Sequence, residues 1–113
     1  MADTTRGFDR LPKDLREVAR IDANGEVSWP RADALRAIEA LTTAGCVVLG
    51  LDLRSYDSNG AVLDLAWTDF QPSIADTNSS ESSRAAAVEG LRRADAVGFH
   101  DLDWVLVTWN SGD

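Results

Sequence analysis

Between residues 29 and 56 the spacing of apolar positions changes period once, from helical to extended. Ala34, Leu35, Ile38, Leu41 and Thr42 fall on one helical stripe, with Arg31, Arg36, Glu39 and Thr43 largely on the other side. Ser28 can cap the start of this helix and Pro30 suits its first turn. Asp33 favours the positive end of the dipole, and Gly45 is a natural left-handed stop. From Cys46 the period drops to two. Val47, Leu49, Leu51 and Leu53 point one way, which is the expected core face; Cys46, Val48, Gly50, Asp52 and Arg54 point the other. That second face begins apolar and ends charged, so its far end should meet solvent.

Asp57-Ser58-Asn59-Gly60 signals a hairpin after this strand, and the faces select its loop. A two-residue loop, Asn59-Gly60, would set Leu53 against Ala66 and Leu51 against Thr68. Leu63, Leu65 and Trp67 would then be left on the charged face. A three-residue loop, Ser58-Asn59-Gly60, pairs Leu53 with Leu65, Leu51 with Trp67 and Arg54 with Asp64, and puts Gly60 at a left-handed bulge position. The three-residue loop is therefore expected.

The flanking segments are placed by what they can pack against this unit. Residues 1–10 are polar and aperiodic and read as a mobile tail, leaving 11–113 as a single domain. Leu11, Leu15, Val18 and Ala19 have helical spacing, with Pro12 in a first turn, which predicts a short helix over 12–20. The competing reading is a strand over 17–21, because Ala-Asn-Gly at 23–25 is turn chemistry and 26–29 could form a second short strand. Residues 68–83 are polar and without period, and read as a long loop. A second helix is expected over 81–95, with Ala87, Val88, Leu91 and Ala94 as its stripe. Gly90 weakens it by about 1 kcal/mol relative to alanine, in exchange for close packing. Gly98 breaks the chain, and 103–109 is a strand apolar on both faces, as in a central strand or one whose outer face meets a partner. The pattern predicts a two-layer α+β fold: a mixed sheet of three or four strands with two main helices on one face.

Composition narrows the function classes. In 113 residues there are 19 acids against 11 bases, a formal charge of −8, so a nucleic-acid partner is not expected and a basic protein partner is electrostatically favoured. No apolar run approaches the ~20 residues needed to cross a bilayer and the N-terminus has no signal-peptide core, so a cytoplasmic protein without a membrane partner is expected. The single cysteine, Cys46, heads an apolar strand and reads as a small buried hydrophobe.

Candidate chemistry is sparse. One cysteine and one histidine, His100, do not make a usual zinc site, and neither a phosphate-binding glycine loop nor a serine-nucleophile frame is present. The expectation is a non-enzyme without a metal or cofactor. What remains is a group of charges: Asp52, Arg54 and Asp64 on the outer face of the hairpin, with Asp101 and Asp103 just before the last strand. Trp104 joins them as an interface anchor, tryptophan being favoured in that role. These six residues are the candidate partner-binding set.

The run VSWPRADALRAIEALTTAGCVVLGLDLRSY resembles the immunity protein 40 family of bacterial polymorphic toxin systems. The shared features are a tryptophan just before the helix (Trp29), an Ala-Leu pair in its first turns (Ala34, Leu35) and a Val-Leu-Gly-x-Asp strand (Val48 to Asp52). Trp67 and Phe70 fall where another family tryptophan is expected. The resemblance covers about 40 residues well and up to about 80 loosely. It implies a cytoplasmic protein that binds and neutralises a cognate toxin domain, many such toxins being basic nucleases. A small-ligand-binding or regulatory module without catalysis is the alternative.

Overall fold

Helix α2 (Arg31–Thr43) stops at the glycine that ends its sequence pattern: Gly45 takes φ +86°, and β3 (Cys46–Tyr56) leaves directly from it. The computed structural model describes residues 7–22, 25–56, 58–59, 62–70, 78–99 and 102–110. Before α2 lie a 3-10 turn at Phe8–Arg10, α1 (Lys13–Val18), β1 (Arg20–Ile21) and β2 (Val27–Pro30); after β3 come β4 (Val62–Asp69), α3 (Ser79–Ala96) and β5 (Asp103–Asn110).

The fold is α+β, with one five-stranded sheet in the order β1-β2-β5-β3-β4 and every neighbouring pair antiparallel. The expected sheet was mixed and had three or four strands. Its strand number rises because β1, two residues long, carries no readable period. Its direction differs because the α3 connection carries the chain across β3: β5 runs parallel to β4 but is separated from it by β3, so the helical crossover creates no parallel neighbours. Strand β5 is flanked by β2 and β3, the central position that was one of the two readings of its apolar faces.

Both main helices lie on one face. Ala34, Ala37, Ile38 and Leu41 of α2 and Ala87, Leu91 and Ala94 of α3 form one core with Trp29, Leu51, Leu53, Trp104 and Leu106 of the strands. Two expectations about α2 are corrected. Its buried stripe is turned toward Ala37, leaving Leu35 38% exposed. Ser28 does not cap it, since Ser28 is buried within β2 and Pro30 occupies the cap position.

The core face of β3 also departs from simple alternation. Against β5, Val48 pairs with Thr108 and Gly50 with Val107, so Leu49 is an extra residue and the faces exchange there. Cys46 and Val48 therefore face the helices together with Leu51 and Leu53, while Val47 is buried on the opposite side. The buried Ser83 hydroxyl of α3 accepts the Val48 N–H at 3.0 Å and donates to the Ser80 carbonyl at 2.9 Å.

In the hairpin, Leu53 pairs with Leu65 and Arg54 with Asp64, the register of the three-residue loop; Gly60 lies outside the described residues. Leu51, however, pairs with Thr68 and not Trp67, because Trp67 is the extra residue of a second bulge. That bulge aims two consecutive side chains at α3. The Trp67 indole donates to the Gly90 carbonyl at 2.8 Å, and a Cβ on Gly90 would sit 2.5 Å from Thr68 Cγ2. The glycine is thus a close-approach site, as its cost to the helix implied.

At the N-terminus both competing readings hold in part, since a helix (α1) and a strand (β1) follow each other. Part of the expected tail over 1–10 is structured. Residues 7–10 form the 3-10 turn, and Phe8 packs on Trp29 with ring centroids 6.0 Å apart; residues 1–6 lie outside the described set. The expected loop over 68–83 likewise loses its ends to β4 and α3, and residues 71–77 lie outside the described set. Among the described residues no helix is long and apolar enough to cross a membrane.

Candidate functional site

The alternation that sends Leu53 into the core sends Arg54 to the face away from the helices, where its side chain is 0% exposed. A buried guanidinium has to be matched by acceptors, and three carboxylates supply them. Asp64, its cross-strand neighbour, takes a bidentate pair of bonds, from Nε at 2.7 Å and Nη2 at 2.8 Å. Asp22 accepts from Nη1 at 3.1 Å and Glu26 from Nη2 at 3.3 Å. These two acids flank the turn between β1 and β2. Asp22 also accepts the Glu26 N–H at 2.9 Å, which fixes the turn that presents both. Asp64, with smaller help from Tyr56 and Glu26, raises the Arg54 pKa above its ordinary value against the opposing pull of burial, so the group stays charged.

Asp103 heads β5 opposite Arg54 and is 5% exposed. The Ser28 hydroxyl donates to it at 3.2 Å and Arg20 pairs with it at 3.3 Å, while Ser28 also meets the Tyr56 hydroxyl at 3.3 Å. One polar network thus joins β1, β2, β3, β4 and β5 on this face. It holds four carboxylates, from Asp22, Glu26, Asp64 and Asp103, against two guanidiniums, from Arg20 and Arg54. The balance is acidic.

The expected partner-binding set is therefore brought together only in part. Arg54, Asp64 and Asp103 are neighbours, and Asp52 is half-buried on the same face, opposite Ala66 and Val105. Asp101 lies outside the described residues. Two assignments are corrected. Arg54 is consumed by internal ion pairs, and Trp104 is 0% exposed within the helix-side core, edge-on to Trp67 at 6.4 Å, so it is no surface anchor. A strand apolar on both faces does not reveal which face a tryptophan takes. Sequence reasoning missed Arg20, Asp22, Glu26, Ser28 and Tyr56. The Asp-x-x-Gly-Glu turn was visible as a turn, but nothing local ties it to an arginine 28 residues further on.

Elsewhere, a groove of about 650 Å³ lies between the N-terminal segment and α2, floored by Leu15, Leu35 and Ala40 and rimmed by Arg10, Arg36 and Glu39. Among the described residues no group of three or more His, Cys, Asp or Glu side chains is placed to hold a metal ion. Comparison with protein-family models, with curated proteins and with solved structures finds no match to this chain.

Proposed function

We propose that the chain is an immunity protein: a cytoplasmic protein that neutralises a cognate, basic toxin domain by stoichiometric binding and without catalysis. The observation that carries this reading is the acidic polar face, where carboxylates outnumber guanidiniums on a chain of net charge −8. Such a surface steers a basic partner toward it and disfavours acidic ones. The resemblance of residues 27–56 to immunity protein 40 supplies the toxin as the kind of partner. The buried part of the network, Arg54 with Asp22 and Asp103, acts as a frame, and the more exposed carboxylates of the face, Asp64 and Asp69, supply the field. Co-expression is the test. A toxin domain encoded in the adjacent gene should arrest growth alone and fail to do so beside this protein; arrest that persists while the folded protein is in excess overturns the proposal.

A second reading, a small-ligand module, is favoured by the groove beside α2, whose apolar floor with a charged rim of Arg10, Arg36 and Glu39 suits an apolar molecule with one polar end. A thermal shift with a medium-chain fatty acid, abolished by Leu35→Glu, would support it.

A further inference from the structure

Strand β4 is last in the sheet order. One of its edges pairs with β3, and among the described residues no strand lies along the other. Proteins blunt such edges with lysine, proline, short length or bulges, and the bulge of β4 at Trp67 leaves residues 62–66 regular. Val62–Asp69 is eight residues long and contains neither lysine nor proline, its only irregularity being that bulge. Leu63 and Leu65 are 68% and 57% exposed, although Leu65 shares the core side with its partner Leu53. Helix α3 does not cover them. Phe99, just beyond that helix, is also exposed and sits edge-on to Trp67 at 5.6 Å. On the opposite face of the same strand stand Asp64 and the exposed Asp69.

We propose that β4 is a strand-docking edge, which takes by main-chain pairing an extended segment of a partner protein in which apolar and basic residues alternate. A strand laid beside β4 meets leucines on one face and carboxylates on the other, and alternation is the only pattern that satisfies both. Beyond the bulge, a hollow of about 420 Å³ lined by Ala66, Trp67, Thr68, Asp69 and Arg93 gives room for one large side chain of the incoming segment.

A second copy of this chain fits the edge less well. Antiparallel pairing that keeps the faces in phase and engages more than three residues of the strand is centred either on Asp64 or on Leu65 and beyond. The first sets Asp64 against Asp64, and like charges directly opposite are destabilising. The second must pair through the bulge at Trp67, and either joins two chains of charge −8. The partner is therefore a different, basic protein. Only its identity as a toxin rests on the preceding reading; the edge itself does not.

The probe is a synthetic peptide of alternating valine and lysine, capped at both ends, with analogues N-methylated on alternate residues in either phase. Methylation keeps the charge and removes main-chain donors. Amide hydrogen exchange of residues 63–66 should slow by about tenfold or more with the parent peptide. At least one methylated phase should lose the effect, as should Leu65→Lys, whose folding is checked by unchanged exchange in β3. Unaltered β4 exchange, or equal protection by the parent and both methylated peptides, overturns the proposal. So does β4 protection that grows with protein concentration and no peptide, the signature of a second copy. A toxin that binds while β4 exchange is unchanged removes the edge and leaves the immunity reading, whereas peptide protection without toxin binding does the reverse.

Discussion

Removing the Arg54 guanidinium should be among the most damaging single changes available outside the helix-side core. Arg54→Met keeps an apolar stem of similar length and leaves three carboxylates facing the vacated site. Their side chains are 7% exposed for Asp22, 18% for Glu26 and 33% for Asp64. Breaking a buried ion pair from one side costs roughly 3 to 5 kcal/mol, because the orphaned charge stays desolvated. Here Asp64 can turn toward water, which places the expected loss near the lower end, about 3 kcal/mol. With a urea m-value of about 1 to 2 kcal/mol/M for a domain of this size, the midpoint should fall by roughly 1.5 to 3 M. Adding Asp22→Asn, Glu26→Gln and Asp64→Asn to Arg54→Met removes the orphaned charges and should recover most of that loss. Equilibrium urea unfolding followed by tryptophan fluorescence reads both effects. A single mutant whose midpoint stays within a few tenths of a molar of the parent would rule out a buried, orphaned charge at this site. So would a quadruple mutant no better than the single one, since unpaired charge would then not be the source of the cost.

Gly90→Ala should destabilise by about 1 to 2 kcal/mol, the clash with Thr68 Cγ2 outweighing the gain of about 1 kcal/mol in helix propensity. Adding Thr68→Ser should reverse the sign, and a double-mutant cycle in urea that shows no coupling contradicts the contact. Ser83→Ala leaves the buried Val48 N–H without its acceptor and should cost about 1 to 3 kcal/mol, seen as a lowered melting temperature with faster exchange at Val48. On the surface, Arg36, Arg84 and Arg92 lower the pKa values of Asp14, Glu81 and Glu89 respectively. A carboxylate whose pKa is depressed by folding contributes stability that is present above its unfolded value and lost as pH falls through its folded one. Melting temperature should therefore decline modestly as the pH drops below about 4, and less steeply in high salt, which screens exposed pairs. A melting temperature that rises on acidification reverses the sign and contradicts these pairings.

The parts of the fold that were legible in the sequence are those set by long, uninterrupted periods. The bounds of β3 match its pattern, Gly45 marks the turn, and β5 is central because both its faces are apolar. Matching faces across the hairpin also identified the Arg54–Asp64 pair, since only one loop length kept the leucines on the core side. Two inserted residues, Leu49 and Trp67, account for most of what was misread, because a bulge shifts phase without altering composition. At Leu49 it moved Val47 off the core face, and at Trp67 it changed the partner of Leu51. The rest of the polar network depends on contacts between distant segments. Asp22 and Glu26 reach Arg54, and Ser28 leaves its expected capping role for Asp103, through sheet geometry that no local pattern encodes. For the same reason, neutralising Asp64 or Asp103 is expected to disturb the fold as well as the field, whereas Asp69, exposed at the end of β4, is the acid to change when charge alone is to be tested.

Stoichiometric capture of a basic protein by an acidic surface is read out by association kinetics with the purified toxin domain from the adjacent gene. A one-to-one complex is expected, with an association rate that falls by roughly tenfold or more between low and high salt. Asp69→Asn should lessen that dependence while leaving the unfolding midpoint nearly unchanged. An association rate indifferent to salt in both proteins, or the absence of any complex, would contradict capture by the acidic surface.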